Sequence, residues 1–332
     1  MASGDPPGDA ALPTGPHPTL GPGTPVPPRW PGPLLITIGL ITGITGIFLG
    51  EVVAAGQADV SRGVLLTLGI GGAIAFGAGL SWSAERAIRQ RSVLAPDRYR
   101  GPAVIVLLAM VLLIGTVVVA PFGADALALV SGEGTITLLG AMVILLSTPA
   151  ALLGVAWLFV ARPNALAALP AFPGRDAGRA LASGAGWGVL AWIGSSALLV
   201  IIAWLLDQVG MAPQPEAAQQ AIAVLDPWLI VLAIVIAAPI AEETFFRGIV
   251  FNAWLREGGR RYAFLGSAAL FAVIHLSLVS LVPIFALGLV LAWVYERNGR
   301  NLLAPLAMHA VVNGLSVAIA LADRFGLLNL SV

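Results

Sequence analysis

Trp228-Leu-Ile-Val-Leu-Ala-Ile-Val-Ile-Ala-Ala-Pro-Ile-Ala-Glu-Glu-Thr-Phe-Phe-Arg-Gly248 is an apolar run that closes on two adjacent carboxylates and an arginine. Its first part reads as a membrane-buried helix. Glu242, Glu243 and Arg247 then fall within six residues. An ionisable side chain at the bilayer centre costs at least ~2.5–3.5 kcal/mol on insertion scales, so such residues are rare in spans and point to function by default. Two histidines, His275 and His309, follow in later apolar segments. The cluster predicts chemistry carried out inside a bilayer.

Composition agrees with that setting. The 332-residue chain is 58% hydrophobic and 10% charged, against about 25% charged in a soluble domain. Several apolar runs approach or exceed the length of a spanning helix. The expected fold is all-α, a polytopic transmembrane bundle of about 8–9 spans. The helices are predicted near 34–56, 63–81, 102–121, 135–161, 181–206, 227–255, 263–281, 283–295 and 302–321. Residues 1–33 are dense in Pro and Gly and are expected to form a disordered cytoplasmic tail. They lack the basic and apolar regions of a secretory signal peptide. Residues 34–161 then form N-terminal transmembrane helices, and 181–322 a core that contains the charged motifs.

Other classes are excluded. There is no cysteine, hence no disulfide, thiol nucleophile or thiolate metal site. The formal net charge is zero and no basic patch asks for nucleic acid. Arginines concentrate in alternate loops: 82–101, 162–180, 256–262 and 296–301. By the positive-inside rule these loops and the N-terminus are cytoplasmic, and the protein is a multi-pass protein of the plasma membrane.

Helical geometry sorts the cluster. Glu243 and Arg247 are four apart, share a face and can pair. Pairing lowers the cost of both charges. Glu242 lies ~100° round the helix. It shares its side with Phe246 and has no partner within its own helix. A spare carboxylate at low dielectric suits a general base or acid. The alternative is that all three charges only hold helices together. Phe271-Ala-Val-Ile-His275 places an aromatic ring and an imidazole on one face, and His309-Ala-Val-Val-Asn313 an imidazole and a carboxamide. Each motif alone fits a structural hydrogen-bonder as well as a catalyst. Depth joins them: counted from flanking arginines, Glu242 and His275 lie ~21 Å and His309 ~13 Å from the cytoplasmic side at 1.5 Å per residue.

Together Glu242-Glu-Thr-Phe-Phe-Arg247, Phe271-Ala-Val-Ile-His275 and His309-Ala-Val-Val-Asn313 resemble the EExxxR, FxxxH and HxxxN motifs of the CPBP intramembrane proteases. This CAAX protease and bacteriocin-processing family, also called Abi, includes Rce1-type prenyl-protein proteases. Phe285-Ala-Leu-Gly288, Tyr295-Glu-Arg-Asn-Gly299 and the approach to His309 are similar to family text as well. The resemblance covers about 225–320.

The resemblance implies an endopeptidase acting on a membrane-embedded or lipidated peptide. Glu242 would activate water, His275 would hold or help activate it, and His309 and Asn313 would stabilise the oxyanion. Glu243 and Arg247 would be the supporting pair, with Phe246 and Phe271 packing beside them. The family is often called metalloprotease, so a zinc on Glu242, His275 and His309 stands beside the glutamate-and-water reading; no cofactor is certain. Two other classes compete: a non-catalytic partner-binding or immunity protein, and a transporter or proton relay using Glu242 and the histidines.

Overall fold

The computed structural model describes residues 25–54, 60–94, 98–123, 125–126, 136–166, 176–208, 222, 225–275, 277 and 279–328. Most of the predicted tail, residues 1–24, lies outside the described residues. Among the described residues there are nine helices and no strand. They are α1 (Pro31–Ala54), α2 (Arg62–Arg91), α3 (Val104–Val119), α4 (Leu138–Ala156, continued by a wider turn Trp157–Ala161), α5 (Ala177–Gln208), α6 (227–258), α7 (260–273), α8 (Leu281–Arg297) and α9 (Leu303–Arg324). An all-helical fold is what hydrocarbon demands, because every backbone polar group must be paired within its own segment.

Six helical stretches are long and apolar enough to cross a membrane, and Pro31–Gly46 is a shorter apolar helix. The surface is inverted relative to a soluble protein. Ile41, Ile44, Ile74 and Val200 are 61–68% exposed, while Glu243 and Arg247 are fully buried. Apolar side chains outside and charges inside are stable only when the surrounding solvent is lipid.

The longest apolar stretch, the 47-residue Pro227–Val273, is divided by Gly259, whose φ of 79° and ψ of −177° no helix accommodates. A residue without Cβ turns the chain there at little cost. The predicted seventh helix, 263–281, stops early at Val273, with Ile274 and His275 in the turn that follows. The second helix runs on from 81 to Arg91. Its last turns carry Glu85, Arg86 and Arg89, good helix formers that a hydropathy reading stops short of.

The helices pack in a chain α1–α2–α3–α4, with α4 against α6. On the other side α5 runs along α9 and touches α8, and α7 packs on α8. Side chains from both halves, among them Leu107, Val155, Phe245, Phe271 and Leu291, share one core cluster. The four arginine-rich loops gather at one end. Arg91 pairs with Glu257 at 3.1 Å, the Arg100 N–H donates to the Ala165 carbonyl at 2.8 Å, and Arg260 pairs with Glu296 at 2.7 Å.

Candidate active site

Within α6 the backbone changes pitch twice. Val231–Ala237 and Thr244–Phe251 are π-helical, bonding each N–H five residues back, and they flank a six-residue α segment, Ala238–Glu243. Such wide turns inside α-helices are frequent at functional sites. Here they bracket both glutamates.

Glu243 is the centre of a buried polar chain. Its Oε1 accepts from Arg247 Nη1 at 3.0 Å and from His309 Nδ1 at 2.8 Å. Arg247 Nη2 donates to the Gly288 carbonyl at 3.2 Å. Glu243 and Arg247 are 0% exposed and His309 is 3% exposed, so the pair sits at the low dielectric where one member without the other is costly. The bond to a carboxylate places the His309 proton on Nδ1 and turns Nε2 the other way. There Nε2 faces Glu242 Oε2 at 4.0 Å. That gap is too long for a hydrogen bond and short enough for one water to touch both atoms. Glu242 Oε2 is buried and takes no hydrogen bond from the described residues.

Phe271 is the apolar hub. The Arg247 guanidinium stacks over its ring at 4.5 Å, and Phe246, His275 and His309 meet it edge-on at 5.3, 4.9 and 5.7 Å. His275, just past the end of α7, donates from Nδ1 to the Phe271 carbonyl at 2.7 Å, which leaves its Nε2 as a free acceptor. It joins the group through the Phe271 ring and makes no hydrogen bond to Glu242 or His309.

Asn313 shares a face of α9 with His309 but reaches a different partner. Its Nδ2 donates to the Ile234 carbonyl of α6 at 2.8 Å. The structure therefore joins Glu242, Glu243, Arg247, His309 and Phe271 directly, His275 through Phe271, and Asn313 through the backbone of α6.

Two residues outside the predicted set extend the network. Asn252 Nδ2 lies within hydrogen-bond reach of the Arg247 and Gly248 carbonyls, at 2.8 and 3.1 Å, and of Tyr295 Oη at 2.8 Å. They continue the polar chain from Arg247 toward the arginine-rich end. An amide five residues after Arg247 in an apolar helix was the available signal. Gly288 matters through its carbonyl, and a Cβ there would come 3.0 Å from Ala268 Cα.

The zinc reading requires three donors around one point. Among the described residues no three His, Asp or Glu side chains converge in that way. The Nδ1 atoms of both histidines are taken up by Glu243 and the Phe271 carbonyl. The set Glu242, His275 and His309 does not fit a metal in this arrangement.

Comparison with known proteins falls on the same helices. Residues 224–315 match the family of type II CAAX prenyl endopeptidases described as Rce1-like. A bacterial relative, the "Putative membrane peptidase YdiL" of Bacillus subtilis (strain 168), is 31% identical over 93 residues, 28% of this chain and 38% of that protein. The chain thus spans well under half the length of the curated relative it matches. No solved structure matches the chain. The C-terminal part carries a CPBP-type protease region, and α1 to α5 lie outside the matched residues.

Proposed function

We propose that this chain, a member of the Rce1-like family over residues 224–315, is an intramembrane endopeptidase that uses a glutamate-activated water. The observation that carries the reading is the Glu242 carboxylate, buried, without a hydrogen bond, and facing His309 Nε2 across 4.0 Å. A water at ~2.8 Å from each would be held by both. Glu242 removes its proton as the oxygen attacks the peptide carbonyl carbon. His309, with Nε2 protonated, donates to the oxyanion as charge develops. The Glu242 proton then passes to the amine nitrogen as the C–N bond breaks, which restores the carboxylate. Glu243 fixes the orientation of His309, and Arg247 balances the charge of Glu243. His275 offers Nε2 at the wall of the site to orient the water.

The substrate is a hydrophobic or lipidated peptide segment delivered through the bilayer, because the site lies among spanning helices. The arginine-rich end faces the cytoplasm, together with the N-terminus. The test is cleavage, by purified protein in detergent, of a peptide carrying a C-terminal lipid and of the same peptide without it. Cleavage of the lipidated form that disappears in Glu242→Gln supports the reading. Full cleavage by Glu242→Gln overturns it.

A further inference from the structure

Ile234 has a backbone carbonyl that its own helix leaves without a donor. In an α-helix the donor would be the N–H of Ala238, but that group bonds Ala233, five residues back. In the wider register the donor would be residue 239, which is Pro239 and has no N–H. An unpaired carbonyl at membrane depth costs several kcal/mol. Asn313 Nδ2, from α9, supplies the missing donor at 2.8 Å. The acceptor is a carbonyl, so the amide must present its NH2 group there.

This bond and the His309–Glu243 bond form two rungs between α6 and α9. His309 and Asn313 are one turn apart on α9, and Glu243 and Ile234 are two turns apart on α6. The rungs hold the α segment Ala238–Glu243 from both ends, and Glu242 lies within it.

We propose that Asn313 is a positioning residue: by supplying the donor that Pro239 removes from α6, it sets the placement of Glu242 against His309. The proposal rests on the reading of Glu242 as the base. It assigns Asn313 an action through α6 in place of a direct contact with the oxyanion.

The experiment exploits the proline. Pro239→Ala returns an N–H five residues after Ile234, the spacing this stretch already uses. Asn313→Ala, Asn313→Asp, Pro239→Ala and the Pro239→Ala/Asn313→Ala double variant are compared with wild type for kcat, KM and midpoint of thermal unfolding in detergent. Asn313→Ala should lower kcat ~10²-fold, as misplacement by about 1 Å does, with little change in KM. Asn313→Asp, which has no N–H to donate when ionised, should lose as much. Pro239→Ala should stay within a few-fold of wild type. The double variant should recover to within about tenfold of Pro239→Ala, because the N–H replaces the amide. A double variant as slow as Asn313→Ala would overturn the proposal, since an oxyanion donor cannot be replaced from position 239. So would an Asn313→Ala that keeps full kcat. If wild type cleaves no substrate, the protease reading fails separately, and the midpoints still decide the bond. Asn313→Ala should lower the midpoint and Pro239→Ala should restore it in the double variant; no recovery overturns the proposal.

Discussion

The α1–α2 pair and the α6–α9 core solve the same problem differently. Neither gains from the hydrophobic effect between helices, since lipid tails are as apolar as leucine. α1 and α2 use close approach. A Cβ on Gly39 would sit 2.4 Å from the Phe76 backbone nitrogen, and one on Gly72 would sit 2.8 Å from that of Gly43. α6 and α9 use buried polar bonds, Glu243 to Arg247 and His309 and Asn313 to Ile234. The first device needs only the absence of side chains and holds nothing that reacts. The second needs charges in hydrocarbon, and it leaves one of them, Glu242, unpaired.

The largest effect separating the regions should be on turnover. Glu242→Gln keeps the shape and removes the base, at ~10²–10⁴-fold in kcat, with the unfolding midpoint near wild type. A variant retaining more than about a tenth of wild-type cleavage would remove Glu242 from that role.

Next comes stability. Arg247→Ala leaves Glu243 buried without its cation and should cost ~3–5 kcal/mol, read as lost yield and a lower midpoint in detergent. His309 would also lose the fixed carboxylate that orients it, so kcat should fall in whatever protein remains folded. An Arg247→Ala protein as stable as wild type would show that the core is not held by this pair.

In the glycine-packed pair the effect should be smaller and silent in chemistry. Gly72→Val forces α1 and α2 apart and should cost ~1–3 kcal/mol. Turnover per folded molecule should not change; a fall in kcat there would mean that the two regions are coupled. The exposed Arg91–Glu257 bridge between them, with side chains 32% and 38% accessible, should contribute ~1 kcal/mol or less. Glu257→Ala, followed by the same melt, checks it. The smallest expected effect is none: exhaustive chelation should leave cleavage unchanged, since the candidate zinc ligands do not converge. Loss restored by stoichiometric zinc would break that expectation.

The spans and the charged triplet were legible because both are local. Apolar length gives a helix, and four-residue spacing puts Glu243 beside Arg247. His309 donating to Glu243 was not legible, because it depends on α9 lying against α6 across 66 residues of sequence. Spacing put Asn313 on the face of His309 and so suggested one joint task. The change of register before Pro239, which draws the amide away to Ile234, leaves no mark in hydropathy. The early end of α7 was hidden likewise, since Leu276 to Leu281 continue the apolar run past the turn.

Each wide stretch of α6 closes its hydrogen-bonded rings over one residue more than an α-helix does. Removing a single residue, Val235 for instance, would let that stretch relax to the narrower coil and turn the helix beyond it by ~100°. Glu242 would swing away from His309, while the span kept its length, its apolarity and its ability to insert. Such a deletion is a spatial frameshift: the helix still reads as a membrane helix, and its carboxylates come out in the wrong phase.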